Sequence, residues 1–284
     1  MANGVRRVDV LLATYRPNEA WLRAQIDSIR AQRGVDVNLL LHEDAEGLGA
    51  CGNFGALLER SKADYVAFSD QDDVWLDDKL VRAMARMREL EARWGKGTPL
   101  LVFADARVVD ADLRPIAESL FARTKIDPER ILPRQLALQN VANGNTMLFN
   151  AALRDLARPI PQGAFMHDAW VMLVASVFGR IACVREPALL YRQHERNVLG
   201  GAKVDGRYFL HRARQGRDAL RERLYANIRQ VEAFVARFGE RSPKEFRALV
   251  GFSRKPHWRR AWILMRHRIF KNGIVRNIGT LAIC

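Results

Sequence analysis

The stretch "DYVAFSDQDDVWLDDKL", residues 64–80, decides how the chain is read. It opens on an apolar run, Tyr65 to Phe68, of the aromatic and β-branched kind that fills a buried strand. Asp70, Asp72 and Asp73 follow at once. Carboxylates this close repel one another and resist losing water, so they persist where solvent reaches them or where a cation sits among them. Taken alone, the cluster supports both readings evenly. One is a solvated turn in which Asp72 or Asp73 caps a helix starting near Leu76. The other is an oxygen-ligand site for Mg2+ or Mn2+, which would point to a nucleotide phosphate as substrate.

Outward from this stretch, strand and helix alternate. "VRRVDVLLATY" (5–15), "VDVNLLLHED" (35–44) and "PLLVFADARVVD" (99–110) read as further strands. "NEAWLRAQIDSIRAQRG" (18–34), "GACGNFGALLERSK" (49–62) and "LDDKLVRAMARMRELEARWG" (76–95) carry helical spacing, the last with acidic residues in its expected first turn. Helix-length connections between strands predict an α/β fold, a mostly parallel sheet with helices on both faces. Ligands of such sheets bind beyond the carboxyl ends of the strands, where Asp70, Asp72 and Asp73 fall.

The 284 residues are 49% hydrophobic, enough for one domain with a sizeable core or a domain with an appendage. There is no apolar run of spanning length and no leader-like start, and Cys51, Cys183 and Cys284 form no CxxC pair. These features predict a cytoplasmic protein with buried or incidental thiols. The net charge of +14 is confined to one region: residues 201–284 hold 20 Lys/Arg against 6 Asp/Glu, and residues 1–200 hold 26 of each. Within that basic third, residues 207–238 read as a long helix. "KPHWRRAWILMRHRIFKNG" (255–273) sets Trp258, Trp262, Met265 and Ile269 on one helical stripe among arginines. That pattern suits a helix lying in the plane of an anionic membrane surface. The plainer alternative is a helix packed on the domain with a solvated basic face. No nucleic-acid recognition motif is present.

"VDVLLATYRPNEAWLRAQIDSIRAQ", "GNFGALLERSKADYVAFSDQDDVWLDDKL", "NGNTMLFN", "HDAW" and "YRQHERNVLG" occur in this order. Together they resemble the family-2 glycosyltransferases, in particular the bacterial rhamnosyltransferase-like branch, over roughly residues 8–200. The resemblance implies a GT-A fold, with a nucleotide-sugar half at about 1–110, an acceptor half at about 111–200 and the basic helical region 201–284 held at a membrane. It implies inverting transfer from a nucleotide-sugar donor with Mg2+ or Mn2+. The expected donor is dTDP-L-rhamnose and the expected acceptor a lipid-linked glycan of O-antigen-type polysaccharide synthesis, at the inner face of the cell membrane. A UDP-hexose transferase and a degenerate, non-catalytic binding member are the alternatives.

Carried over by position, the resemblance puts Ala13, Thr14 and Tyr15 at the nucleotide base and Asp70 at the donor ribose. Asp72, with Asp73, would hold the metal, and His194 would lie near it or near the diphosphate. Asp168 would be the general base, with His167 orienting it. Trp75 and Trp170 would line the sugar pocket, although core packing accounts for either equally well. Gly144 and Asn145 would approach donor sugar and acceptor. One departure stands out: "VDVNLLLHEDAEGLGACGNFG" passes from strand to helix where the family carries a further helix and strand. Either Asp44 replaces the base-reading Asp of the family, or a deletion has fused two strands and left a sheet edge exposed.

Overall fold

The computed structural model describes residues 6–194 and 216–284. Its strands are β1 (Arg7–Thr14), β2 (Asp36–Glu43), β3 (Tyr65–Ser69), β4 (Val74–Trp75), β5 (Leu100–Val109), β6 (Pro115–Ala117), β7 (Leu148–Asn150) and β8 (Arg180–Arg192). The helices before the undescribed segment are α1 (Glu19–Arg30), α2 (Gly49–Arg60), α3 (Lys79–Trp94), α4 (Leu120–Thr124), α5 (Pro133–Leu136), α6 (Ala151–Ala157) and α7 (His167–Phe178). After it come α8 (Gly216–Phe238), α9 (Lys244–Leu249), α10 (His257–Arg266) and α11 (Ile274–Ile283).

One sheet runs in the order β2-β1-β3-β7-β5-β8-β4, with β6 beside β5. The strands of the first half, β2, β1 and β3, are parallel, as helix crossovers require. Beyond β3 the sheet is mixed. β7 runs antiparallel to both β3 and β5, and β8 is parallel to β5 but antiparallel to β4.

Alternation along the strands builds two cores. Leu11, Val66, Phe68, Leu101 and Phe103 face α2, α7 and the C-terminal helices. Val8, Val10, Tyr65, Ala67, Leu100 and Val102 face the other way, onto Ile29 of α1 and Leu80, Met84 and Met87 of α3. α3 begins at Lys79, so Asp77 and Asp78 precede the helix instead of filling its first turn; they pair with Arg33 and Arg82.

β2 is an edge strand and stays partly exposed along its length, as the shortened connection after it implies. Asp9 of β1 ties this edge down. It accepts from Asn38 Nδ2 of β2 (2.7 Å), Ser61 Oγ (2.8 Å) and the backbone N–H groups of Lys62 and Ala63 (2.8 and 2.9 Å). Burial alone would raise this carboxyl, but the donors outweigh it and hold it below the usual carboxylate range.

The C-terminal helices share the first of these two cores. Leu224, Val231, Phe234, Phe246, Leu249, Phe252, Ile263 and Leu264 are buried in the same cluster as Phe68, Phe103 and α7. The stripe expected along 258–269 divides. Ile269 is 1% exposed and belongs to the core, because the chain turns inward after α10. Trp258, Trp262 and Met265 are 70%, 54% and 51% exposed. Residues 207–215 of the expected long helix, and the expected boundary at 200, lie outside the described residues. Among the described residues no helix is long and apolar enough to cross a membrane.

Because the folded-state carboxyl of Asp9 is depressed, its contribution to stability is complete above the ordinary carboxylate range and fades as pH falls through the lower folded value. Asp9→Asn should cost about 1–3 kcal/mol at neutral pH. In denaturant titrations the difference from wild type should shrink below about pH 3. A cost that does not change with pH would mean that the ionised form is not what the donors hold.

Candidate active site

β1 and β3 are adjacent and parallel, so Thr14 and Ser69 bring their carboxyl ends to one edge of the sheet. The acidic turn follows β3 at that edge. Gln71, between Asp70 and Asp72, fastens it to the end of β1: its Oε1 accepts from Tyr15 N (2.8 Å) and its Nε2 donates to Tyr15 O (3.2 Å). Asn53 of α2 donates to Thr14 O (3.1 Å) and contacts His42 of β2 (2.8 Å). The phenol of Tyr15 stands 52% exposed beside this edge, while Thr14 is buried and Ala13 partly so.

Asp73 turns inward from the same turn and is fully buried. One oxygen accepts from Arg192 N (3.0 Å) and the other from Asn145 Nδ2. Beneath it, Lys79 donates to Asn145 O (2.5 Å) with its ammonium 3.1 Å from the centroid of the Trp75 ring. Arg192 ends β8 and donates through Nε to Asp72 O (2.8 Å). Two residues on, His194 Nε2 lies 2.6 Å from Asp72 Oδ2, and both side chains keep some exposure. A strand distant in sequence thus supports the acidic turn from behind and supplies an imidazole to its open side.

Asp168 enters from the first turn of α7. Its carboxylate accepts from Gly144 N (3.1 Å) and from its neighbour Ala169 N (2.6 Å). A Cβ on Gly144 would lie 2.8 Å from His167 Nε2 and 3.1 Å from Asp168 Cβ, so only glycine permits this approach. Burial pushes Asp168 up to about 6, against those hydrogen bonds. Asp70 is pushed up to about 7 by burial first, then by the charges of Asp72 and Asp168, with Lys79 opposing. Asp168 is therefore an electrostatic neighbour of the acidic turn although 98 positions separate Asp70 from it in the sequence.

Several expected site residues lie in the interior. Asp73 has both its oxygens engaged there. Asn145 is 1% exposed and belongs to the same support. Trp75 is buried under Lys79. Trp170 is wholly buried against Phe234 and Phe238, its Nε1 donating to Ala157 O (2.7 Å). His167 is buried and stacked on Phe54 at 3.8 Å, and burial lowers it to about 3, so it stays neutral and packs instead of tuning Asp168 by charge. Asp44 accepts from Leu48 N (2.7 Å) and Gly49 N (2.8 Å), which closes the turn into α2 and engages both oxygens. Cys51 borders Asp168, and burial pushes its thiol up to about 11, far from a thiolate nucleophile. The remainder of "YRQHERNVLG" after His194 lies outside the described residues.

Four carboxylates gather here, of Asp70, Asp72, Asp73 and Asp168, against the cations of Lys79 and Arg192. That imbalance, and an acidic turn still open at Asp70 and Asp72, fits a divalent cation. Among the described residues no three His, Cys, Asp or Glu side chains form a ready-made cage. Mg2+ and Mn2+ sites completed by waters and substrate phosphates need only one or two protein carboxylates. Asp72, with His194 beside it, is the residue that would hold such an ion.

The architecture is the GT-A-like fold of glycosyltransferases. "TarS 1-349" of S. aureus, solved with UDP-GlcNAc, is 15% identical, with a TM-score of 0.51 over 97% of this chain and 90% of that one. Mannosyltransferase PcManGT of Pyrobaculum calidifontis, solved with GDP-Man and Mn2+, is 15% identical, with a TM-score of 0.53 over 94% and 74%. At such identities the likeness concerns the fold. By sequence, the dTDP-rhamnosyl transferase RfbG of Shigella flexneri is 23% identical over 222 residues, 66% of this chain and 73% of its own. The uncharacterized protein Rv1520 of Mycobacterium tuberculosis is 23% identical over 236 residues, 78% of this chain but 64% of that protein, so this chain spans under two thirds of the mycobacterial relative. No family model matches the chain.

Gly144→Ala tests the packing around Asp168. The added methyl must displace His167 or Asp168, and overpacking of this kind costs about 1–3 kcal/mol. Chemical denaturation should show that loss, and an unchanged midpoint would mean the loop yields without strain.

Proposed function

We propose that the protein is a glycosyltransferase that uses a nucleotide-sugar donor and inverts the anomeric centre. The observation that carries the reading is the placement of Asp168, a carboxylate raised to about 6, beside the acidic turn of Asp70 and Asp72. The chemistry needs both parts. An acceptor hydroxyl must lose a proton as it attacks, and a carboxylate near the working pH serves as its base. A nucleoside diphosphate must leave, and a divalent cation when bound would neutralise the charge it develops. The backbone of Ala13 to Tyr15 and the exposed Tyr15 ring offer a surface for the nucleotide base at the end of β1. Asp70 would contact the donor ribose, and Asp72 with His194 would face its diphosphate.

The finer reading follows the relative named for rhamnosyl transfer: dTDP-L-rhamnose as donor and a lipid-linked glycan as acceptor. A membrane-embedded acceptor requires the enzyme to work at the membrane surface. The outward Trp258, Trp262 and Met265 and the basic C-terminal third support peripheral attachment to an anionic leaflet. The test is consumption of a panel of sugar nucleotides by the purified protein with Mn2+. Turnover of dTDP-rhamnose supports the finer reading, turnover of a UDP-hexose moves the donor, and turnover of none overturns the enzyme.

Asp168→Asn should leave nucleotide binding intact and lower turnover by about 10²-fold or more. In the wild-type protein the rate should climb about tenfold per pH unit below the folded value near 6 and level off above it, because only the ionised form accepts a proton. Near-normal transfer by this variant would place the base elsewhere. Asp72→Ala should remove the Mn2+ dependence of nucleoside diphosphate binding in calorimetry, and unchanged affinity would overturn the metal-facing role.

A further inference from the structure

Two adjoining clefts at the C-terminal helices hold positive charge that the catalytic reading does not use. The first, about 390 Å³, is lined by Arg130, Arg134, Arg268, Lys271, Ile274 and Asn277 and by no carboxylate. The second, about 490 Å³, shares Arg134 and Arg268 with it and adds Lys244, Arg266, Trp262 and a single acid, Glu245. Among the described residues, Arg130, Arg134 and Arg268 form no ion pair; Arg130 is held at the wall by donating to Phe270 O (2.8 Å). Long cationic side chains converging in a concavity repel one another, and an anion that several of them share removes that cost.

Arg268 carries a second, independent observation. α10 closes with Ile269 N donating to Leu264 O (2.9 Å) and Arg268 N to Met265 O (3.1 Å), with Leu264 and Ile269 buried together. This paired closure puts the residue after the cap in the left-handed region and favours glycine there. The chain uses glycine for a left-handed residue nearby, at Gly251. At position 268 it has an arginine with φ 52°. Lys125 closes α4 in the same way (φ 51°), so the backbone geometry serves the helix end, and what sets Arg268 apart is that its side chain lines both clefts.

The rim decides between anions. Trp262 borders the second cleft and Ile274 the first, and Trp262, Ile274 and Ile278 are 54%, 78% and 63% exposed. A soluble anion has no use for an apolar rim, whereas a headgroup attached to acyl chains does. We propose that this cationic cleft binds the phosphate of an anionic lipid headgroup, with Arg134 and Arg268 as shared ligands and Trp262 and Ile274 entering the interface. The inference rests on the membrane part of the reading above and on none of its catalytic part.

Co-sedimentation of the full chain with phosphatidylcholine vesicles, with and without phosphatidylglycerol, tests it. Wild type should bind only the anionic vesicles. Arg268→Gly should melt at or above the wild-type temperature, because glycine takes the left-handed conformation without strain. It should bind at least about tenfold more weakly, while the charge control Arg259→Gln, exposed on α10 and outside both clefts, should cost about fivefold or less. Equal losses in the two variants would overturn the cleft and leave a diffuse membrane attachment standing. Failure of wild type to bind either vesicle would overturn the membrane reading itself. Calorimetric binding of pyrophosphate by metal-free wild type that Arg268→Gly loses, without vesicle binding, would overturn the lipid assignment in favour of a soluble anion.

Discussion

Asp73 has no contact with solvent, and its oxygens are divided between the backbone of Arg192 and the amide of Asn145. A carboxylate in that position costs several kcal/mol unless its neighbours satisfy it. Satisfying it draws together the end of β3, the end of β8 and the turn before β7, three segments that meet nowhere else in the sequence. Lys79 lies below and is itself costly to bury; its ammonium is met by Asn145 O, the Trp75 ring and the nearby carboxylates. The position of every catalytic candidate depends on this interior network.

With Asp73 held inward, its neighbours Asp70 and Asp72 are left facing outward. His194 reaches Asp72 only because β8 is anchored at Arg192, two residues earlier. Asp168 arrives from the opposite side, on a helix whose first turn packs His167 between Phe54 and Phe68. The imidazole thus works as an apolar wedge beside Asp168, and the glycine at 144 keeps the gap closed. Burial raises the proton affinity of Asp168, and burial together with the neighbouring carboxylates raises that of Asp70.

The C-terminal third has two sides. Its aromatic and aliphatic residues complete the core over α7, so it stabilises the catalytic face. Its outward side carries tryptophan, isoleucine and arginine where a water-soluble surface would be expected to carry mixed charge. The arginine at 268 sits where those two sides meet. Its backbone closes α10 against the core, and its side chain joins the cationic clefts.

The linear pattern alone determined the α/β class, the parallel character of the first strands, the acidic turn at the end of β3 and the concentration of positive charge after residue 200. Each is a local property: apolar runs, helical periods and charge counts need no partner to be read. The tertiary structure decided which carboxylate faces the open edge and which is spent inside, because Asp70, Asp72 and Asp73 are indistinguishable by type and spacing. Gln71, Asn53, Lys79 and Arg192 gave no sequence signal, since their role lies in contacts across 39 to 119 positions. The tryptophans show the same division. Trp75, Trp170, Trp258 and Trp262 all read as candidate ligand or membrane contacts. Packing buried the first two and left the last two outside, for burial is a property of the assembled core and not of the residue.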